Sequence, residues 1–276
     1  MASIAIGPVR RRPLALRYHL GKLAKYRYLP QYYWYHKLRF GVDKTKFDIS
    51  FCVFIESFIN DQYGIRAFLS KLRTTRELCF IDIGRNHGLV FYYAMYHIMK
   101  HDLPVKVVNY YGIDPSPLKF VYFNFHDFLA RRGIKINYHI IDRAVVFNGE
   151  PKVTLKYGES NFGNFHVSGS NYAERAQSRQ SRYEYVEISV DTMQFDEIKK
   201  VVADNLSNDA IIVKIDCKNR TDHMFVELLD MLSAQKINYL VSAEQDGSSD
   251  RDLSPYLMKS DYLMKDARVL TTSRTS

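Results

Sequence analysis

The stretch from Leu78 to Leu89, LCFIDIGRNHGL, limits most strongly what this chain can fold into. Its first six residues are almost entirely apolar, which is typical of a strand buried on both faces. Gly84 and Gly88 then enclose a short polar turn, and an apolar stretch of helical length follows. This order of strand, turn and helix predicts the first unit of a doubly wound α/β fold, with backbone N–H groups at a helix N-terminus.

Further apolar segments alternate with helical patterns, which predicts a mainly parallel, Rossmann-like sheet with helices on both faces. The additional strands are predicted at residues 105–113, 134–141, 186–190, 210–215 and 239–243. Helices are predicted at residues 61–73, 89–99, 117–132, 195–203 and 224–232. The dipeptide Asn148-Gly149 predicts a hairpin turn, because it suits the positive φ angles of tight hairpins. The main domain is therefore predicted over residues 61–246.

Positive charge is concentrated at the start of the chain. Residues 1–46 contain eleven Lys or Arg and one acid, Asp43, whereas the whole chain has a net charge of +9. The remainder is close to neutral, which argues against a specific nucleic-acid groove across the main domain. Residues 1–60 are predicted to be a basic, aromatic extension. It either packs on the domain through its tyrosines, or its residues 1–46 contact a membrane surface, a phosphate-linked glycan carrier or RNA.

The cysteine pattern favours a reducing compartment. Cys52, Cys79 and Cys217 are far apart and form no CxxC pair, so neither a disulfide framework nor a zinc cluster is expected. No uncharged run reaches the roughly 18–20 residues that a spanning helix needs, and the first residues lack a signal peptide's apolar core. We expect a cytoplasmic chain, peripheral at most to the inner membrane surface, with residues 247–276 as a polar tail of open role.

Acidic residues end five of the predicted strands. Ligands of parallel sheets bind outside the carboxyl ends of the strands, and a buried carboxylate is costly without a partner. A shared polar ligand therefore explains this row better than chance, although any one acid could cap a helix. The five acids are Asp82, Asp114, Asp142, Asp216 and Glu244.

Asp114 indicates an adenosine cofactor, because a carboxylate after the second strand can accept two hydrogen bonds from a ribose diol. Asp142 is interpreted as an acceptor for the adenine amino group or as a turn residue. Gly84 and Gly88 would let the backbone approach a ligand closely. Asn86 takes the place of the middle glycine of the dinucleotide fingerprint. A pyrophosphate needs that glycine and S-adenosylmethionine does not, so the pattern favours S-adenosylmethionine.

The ordered motifs resemble the FkbM family of S-adenosylmethionine-dependent methyltransferases. Asp82 to Gly88 matches the family pattern D-I-G-A-N-x-G, Asp114-Pro115 matches its acid-Pro pair, and Lys214 to Asp216 begins its K-I-D-x-E-G. The resemblance covers residues 79–244. It implies a methyltransferase acting on a sugar hydroxyl of a glycan or a related small metabolite. It also implies that the cofactor is bound by Asp82, Gly84, Arg85, Asn86, Gly88, Asp114 and Asp142.

Two residues in these motifs depart from the family. Arg85 stands where a small residue is usual, and either pairs with the methionine carboxylate of the cofactor or crowds it. Lys218-Asn219 replaces the usual Glu-Gly. Asp216 ends the strand nearest the expected acceptor site, so it is predicted to be the base or the acceptor-orienting group, or else a structural cap. Lys214 is interpreted as a sheet residue whose ammonium pairs with Asp216 or Glu244.

Three functions remain open at this point. The first is an O-methyltransferase, the second is a non-catalytic protein that keeps the fold, and the third is a nicotinamide-dependent oxidoreductase. No metal site is predicted, because no histidine motif supports the acids Asp216 and Glu244 as ligands. The expected partner is a small-molecule or glycan acceptor, and nothing in the sequence indicates an oligomeric state.

Overall fold

A computed structural model describes residues 57–58, 61–86, 88–115, 129–158, 166–167, 185–217, 221–244 and 269–274. The chain divides into two units, Met1–Asp43 and Lys44–Ser276, and every described residue belongs to the second. The prediction of a membrane or RNA contact through residues 1–46 lies outside the described residues, as does Lys218-Asn219.

Ten strands are described. They are β1 (Glu77–Ile83), β2 (Val107–Ile113), β3 (Lys135–Ile141), β4 (Ala144–Val146), β5 (Lys152–Gly158), β6 (His166–Val167), β7 (Tyr185–Gln194), β8 (Ala210–Ile215), β9 (Asn238–Glu244) and β10 (Val269–Arg274). Six of them form a central sheet of order β10-β9-β8-β1-β2-β3. The pairs among β3, β2, β1, β8 and β9 are all parallel, which confirms the predicted Rossmann-like α/β fold.

Four helices are described: α1 (Ile65–Leu69), α2 (Leu89–Lys100), α3 (Phe195–Asp204) and α4 (Thr221–Ser233). Residues 129–131 are also helical and end at Gly133, whose φ of +70° closes the helix as its sequence predicts. The earlier part of the helix predicted over 117–132 lies outside the described residues. Among the described helices, none is both long and apolar enough to cross a membrane.

Alternate residues of β1 pack into two separate cores. Leu78 and Phe80 belong to one core, which includes residues of α1 and α2. Cys79 and Ile81 belong to the other, which includes residues of α3 and α4. The sheet is therefore covered by described helices on both faces, and β1 is buried from both sides as its unbroken apolar run predicts.

A second sheet lies in the chain between β3 and β8, with strand order β4-β7-β5-β6. The hairpin predicted at Asn148-Gly149 is wrong, because β4 and β5, the strands on either side of this dipeptide, are not neighbours. Strand β7 lies between them, parallel to β4 and antiparallel to β5. Gly149 does have a positive φ of +74°. The dipeptide therefore makes a bend that carries the chain past β7 instead of a tight two-strand turn.

The polar tail contributes a strand to the central sheet. The sequence left the role of residues 247–276 open, and the structure places β10 antiparallel to β9, with Val269 opposite Glu244. The main domain is thus not limited to residues 61–246. The antiparallel strand covers the edge of β9 that the five parallel strands would leave open.

The order of the strands reverses between β1 and β8. The chain passes from β1 to β2 on one side, whereas β8 and β9 extend the sheet on the other. In such sheets the crevice at this switch point is where ligands bind. The carboxyl ends here are joined directly, since Asp216 N–H donates to the Ile83 carbonyl at 2.9 Å and Gly84 N–H donates to the Ile113 carbonyl at 2.8 Å.

Candidate functional site

The predicted acid of β1 is completely buried. Asp82 has 0% exposure and stands in register with Lys214 of β8 and Gly112 of β2. Its Oδ1 lies 3.0 Å from Lys214 Nζ, and its Oδ2 accepts a hydrogen bond of 3.1 Å from the Tyr110 hydroxyl. Burial and the Asp82 carboxylate raise the pKa of Tyr110, so its hydroxyl stays protonated and donates. Asp82 has no surface with which to touch a ligand.

Lys214 joins both sides of the switch point. Besides Asp82, its Nζ donates to the Gly84 carbonyl at 2.5 Å and lies 3.6 Å from Asp216 Oδ2. Burial alone would lower the pKa of Lys214, but the carboxylates of Asp82 and Asp216 outweigh it and raise the pKa. The side chain is therefore a charged ammonium in the protein interior. Of the two pairs predicted for it, the one with Asp216 is present.

Of the two carboxylates paired with Lys214, only Asp216 is accessible to solvent, with 30% of its side chain exposed. Its Oδ2 accepts a hydrogen bond of 2.9 Å from the hydroxyl of Tyr63, a residue that precedes α1 and is almost fully buried. The Tyr63 ring also covers Lys214, with Nζ 5.5 Å from the ring centroid. Two groups thus hold this carboxylate in place at the end of β8.

The acid that follows β2, Asp114, is hydrogen-bonded to the glycine-bounded turn after β1. Asp114 Oδ2 accepts a hydrogen bond of 2.8 Å from the backbone N–H of Asn86. Asn86 has a left-handed φ of +49°, and Gly88 begins α2 at a φ of +77°. The side-chain Oδ1 of Asn86 is buried and has no hydrogen-bond partner in the part of the chain that the structure describes. An amide oxygen left in this state is costly, so it fits a ligand that can donate a hydrogen bond.

Arg85 is held by the protein itself. Its guanidinium is buried, forms an ion pair with Asp142, and donates to the Asn86 carbonyl at 3.0 Å. Its Cδ would lie 2.7 Å from a β-carbon placed on Gly112, so the side chain crosses the end of β2. The methionine-carboxylate role considered for Arg85 therefore competes with an internal partner. Asp142 keeps 69% of its side chain exposed despite this pair.

Gly84 has a reason for being glycine that involves no ligand. An ideal β-carbon there would lie 1.9 Å from the Asp216 carbonyl oxygen. The sequence predicts that a ligand approaches Gly84 closely, but in the structure the Asp216 backbone at the end of β8 makes this close approach. Gly84 shapes the turn and lets β1 and β8 lie close together, and the Asp216 carbonyl group occupies the space that a side chain at this position would need.

The structure gathers the predicted residues into two neighbouring groups. One group contains Asp82 and Asp216, joined through Lys214, and the other contains the residues around Asp114. Tyr63 and Tyr110 were missed by the sequence interpretation. Tyr63 precedes the stretch that the motifs cover, and Tyr110 reads as an ordinary strand aromatic. Within the described residues, no group of three or more His, Cys, Asp or Glu side chains is placed to hold a metal ion.

Comparison of the chain with protein-family models, with curated proteins and with solved structures finds no match. The fold is therefore established by the strand order, and the function has to be inferred from the residues at the switch point.

Proposed function

We propose that the chain is an S-adenosylmethionine-dependent O-methyltransferase that acts on a sugar hydroxyl of a glycan or a related small metabolite. The observation that carries the proposal is the contact between Asp114 and Asn86. It fixes an acid at the end of β2 against the glycine-bounded turn after β1, where a doubly wound sheet binds a ribose diol. The substrate class comes from the resemblance to the FkbM family alone.

The residues around the turn fit this cofactor. The location of Asp114 at the end of β2 supports a role toward the ribose hydroxyls, and the buried Oδ1 of Asn86 suits a donor such as the amino group of the methionine moiety. The exposed face of Asp142 is open to the adenine end. Bound there, S-adenosylmethionine supplies an electrophilic methyl group. Asp82, Gly84 and Arg85 act indirectly in this proposal, because they contact other parts of the protein.

Asp216 orients the acceptor in this proposal. Its carboxylate accepts a hydrogen bond from the Tyr63 hydroxyl and lies 3.6 Å from the Lys214 ammonium, so both contacts hold it in a fixed position at the end of β8. A fixed carboxylate that only orients the hydroxyl suffices when the proton leaves late, after carbon–oxygen bond formation has made the hydroxyl strongly acidic. In this proposal Asp216 would align the acceptor hydroxyl, and the proton of that hydroxyl would pass to water, while bound S-adenosylmethionine would supply the methyl group with its sulfur as the leaving group.

Calorimetric titration with S-adenosylmethionine and S-adenosylhomocysteine tests the cofactor assignment. Asp114→Asn keeps an acceptor for the Asn86 amide but removes the charge, so we expect affinity for both ligands to fall by about tenfold or more. Asp191→Asn is the matched control, because this exposed acid lies on β7 of the other sheet and pairs with Lys152. Absence of binding to the unmodified chain, or equal binding by Asp114→Asn, would refute the assignment.

A non-catalytic role is the second candidate, and the filled switch point favours it. Lys214 neutralises a buried acid, and the Asp216 backbone fills the space beside Gly84. Comparison of glycans and metabolites from cells with and without the gene distinguishes the two candidates. A methyl group lost together with the gene supports the enzyme, whereas cofactor binding without any missing methyl group supports the non-catalytic role.

The proposal places the reaction in the cytoplasm, since the cysteine spacing favours a reducing compartment. For residues 1–46, the prediction is contact with an anionic membrane surface. Sedimentation with vesicles that contain anionic lipid should depend on this segment and weaken with added salt. Unchanged sedimentation after the segment is deleted would reject the membrane contact and leave the methyltransferase proposal intact.

A further inference from the structure

Five polar side chains form a continuous chain of contacts across the switch point. We call this chain the charged network, and it consists of Tyr110, Asp82, Lys214, Asp216 and Tyr63 in that order. It runs from the buried Tyr110 of β2 to Tyr63 before α1, and Asp216 is the member whose side chain reaches the surface. Two carboxylates and one ammonium are its charged groups.

We propose that Lys214 is a positioning residue that fixes the cofactor turn relative to Asp216 and that opposes positive charge at the site of methyl transfer. This inference rests on the proposed function. It extends that function by assigning Lys214 a role in distinguishing the cationic sulfonium donor from the neutral thioether product.

The contacts of Lys214 favour positioning over direct ligand binding. Its Nζ is directed at Asp82 Oδ1, the Gly84 carbonyl and Asp216 Oδ2, at 3.0, 2.5 and 3.6 Å. The Gly84 carbonyl accepts a hydrogen bond from this ammonium, and the two carboxylates lie within ion-pair distance of it, so the charge of Lys214 is directed at groups of the protein. The side chain is also buried beneath the Tyr63 ring. Lys214 therefore acts on a ligand through the Gly84 turn and through Asp216.

The charge of the network supports the second half of the inference. A ligand atom in contact with the exposed face of Asp216 lies close to the Lys214 ammonium, which is 3.6 Å from the same carboxylate. A positive charge there is attracted by the Asp216 carboxylate and repelled by the Lys214 ammonium, whereas an uncharged sulfur interacts only weakly with either group. Removal of the ammonium should consequently strengthen binding of the sulfonium relative to the thioether.

The test is the ratio of the dissociation constants for S-adenosylmethionine and S-adenosylhomocysteine, measured by calorimetry on the full chain. Lys214→Met should shift this ratio toward S-adenosylmethionine by about tenfold. Lys214→Arg keeps the charge and should retain the original ratio. Lys199→Met is the matched control, because Lys199 also bridges two acids, Asp196 and Glu227, but lies on α3 away from the switch point.

Tyr63→Phe keeps the inference testable if Lys214→Met does not fold. It removes only the hydroxyl that donates to Asp216, which leaves that carboxylate more negative toward a ligand, so a smaller shift in the same direction is expected. Equal weakening of both ligands in Lys214→Met, or an unchanged ratio in Tyr63→Phe, would show a merely structural role and overturn the inference. Failure of the unmodified chain to bind either ligand would refute the proposed function, and the inference with it.

Discussion

Gly84 and Asp216 lie so close that a β-carbon on the glycine would overlap the carbonyl oxygen of the aspartate, at a separation of 1.9 Å. This contact joins the turn after β1 to the end of β8, and the hydrogen bond from Asp216 N–H to the Ile83 carbonyl reinforces it. The turn that is proposed to hold the cofactor and the acid that is proposed to orient the acceptor are therefore parts of one rigid backbone arrangement.

Gly84→Ala is expected to destabilise the protein by roughly 3 kcal/mol or more, because it combines a backbone overlap with a φ of +75°. Urea denaturation followed by circular dichroism measures the loss. Gly133→Ala is the control, since its φ is +70° but nothing lies within 4 Å of its added β-carbon. It should cost only about 1–2 kcal/mol, the price of the backbone conformation. Equal losses in the two variants would contradict the close contact.

Asp82 and Lys214 are expected to behave as a coupled buried pair. Lys214→Met leaves the Asp82 carboxylate buried without a cation, and Asp82→Asn leaves Lys214 with only the more distant Asp216 carboxylate. Each single variant should therefore cost about 3–5 kcal/mol of unfolding free energy. The double variant should cost clearly less than the sum of the two single variants, because it leaves neither charge. A double-mutant cycle from chemical denaturation measures the coupling energy. If the losses of unfolding free energy in the two single variants simply add up in the double variant, then the two buried charges do not stabilise each other.

The sequence contains a signal for this pair that is recognisable once the register is known. Asp82 interrupts an apolar run in β1, and Lys214 interrupts another in β8. The register places them opposite each other on neighbouring strands. Opposite charges at matching positions of two buried parallel strands thus indicate an internal ion pair. The sequence interpretation instead assigned Asp82 to a shared ligand and paired Lys214 with Asp216 or Glu244, because the register between β1 and β8 is not visible in either strand alone.

The local elements were predictable to the extent that their residues are close in the chain. Strand β8 was predicted with its observed bounds, and Gly133 ends its helix as expected. The prediction of a hairpin at Asn148-Gly149 failed because β5 pairs with β7, which comes much later in the sequence. Tyr63 was missed for the same reason, since its hydroxyl meets Asp216 across 153 positions of the chain. Such contacts depend on tertiary packing, which local patterns do not encode.

Asp61 is expected to stabilise the start of α1. Its buried carboxylate accepts hydrogen bonds from the backbone N–H groups of Arg66 and Ala67 at 2.9 and 3.2 Å, and from the Tyr93 hydroxyl at 3.0 Å. Asp61→Ala removes all three hydrogen bonds and should cost roughly 2–3 kcal/mol by urea denaturation. Asp61→Asn keeps one acceptor and should cost less.

Asp102→Ala is the control for this prediction, because Asp102 has a φ of +48°, nearly the +49° of Asp61, but is exposed. It isolates the cost of placing alanine in a left-handed conformation. If Asp61→Ala costs no more than Asp102→Ala, then the carboxylate of Asp61 contributes nothing beyond its backbone conformation.

His97 should make the stability of the protein depend on pH. Burial, together with the nearby charges of His101, Arg66 and Lys100, lowers the pKa of His97 from 6.5 to about 4. Because the folded pKa lies below the unfolded one, the neutral ring favours the folded state. This contribution is fully present above pH 6.5 and is lost as the pH falls toward 4, by on the order of 2–3 kcal/mol.

His97→Phe retains the edge contact with Tyr93 but cannot titrate, so its denaturation midpoint should fall less than that of the unmodified chain over this range. His139→Phe, which replaces an exposed ring on β3, should keep the full loss. A pH dependence that is identical in His97→Phe and the unmodified chain would show that another group is responsible.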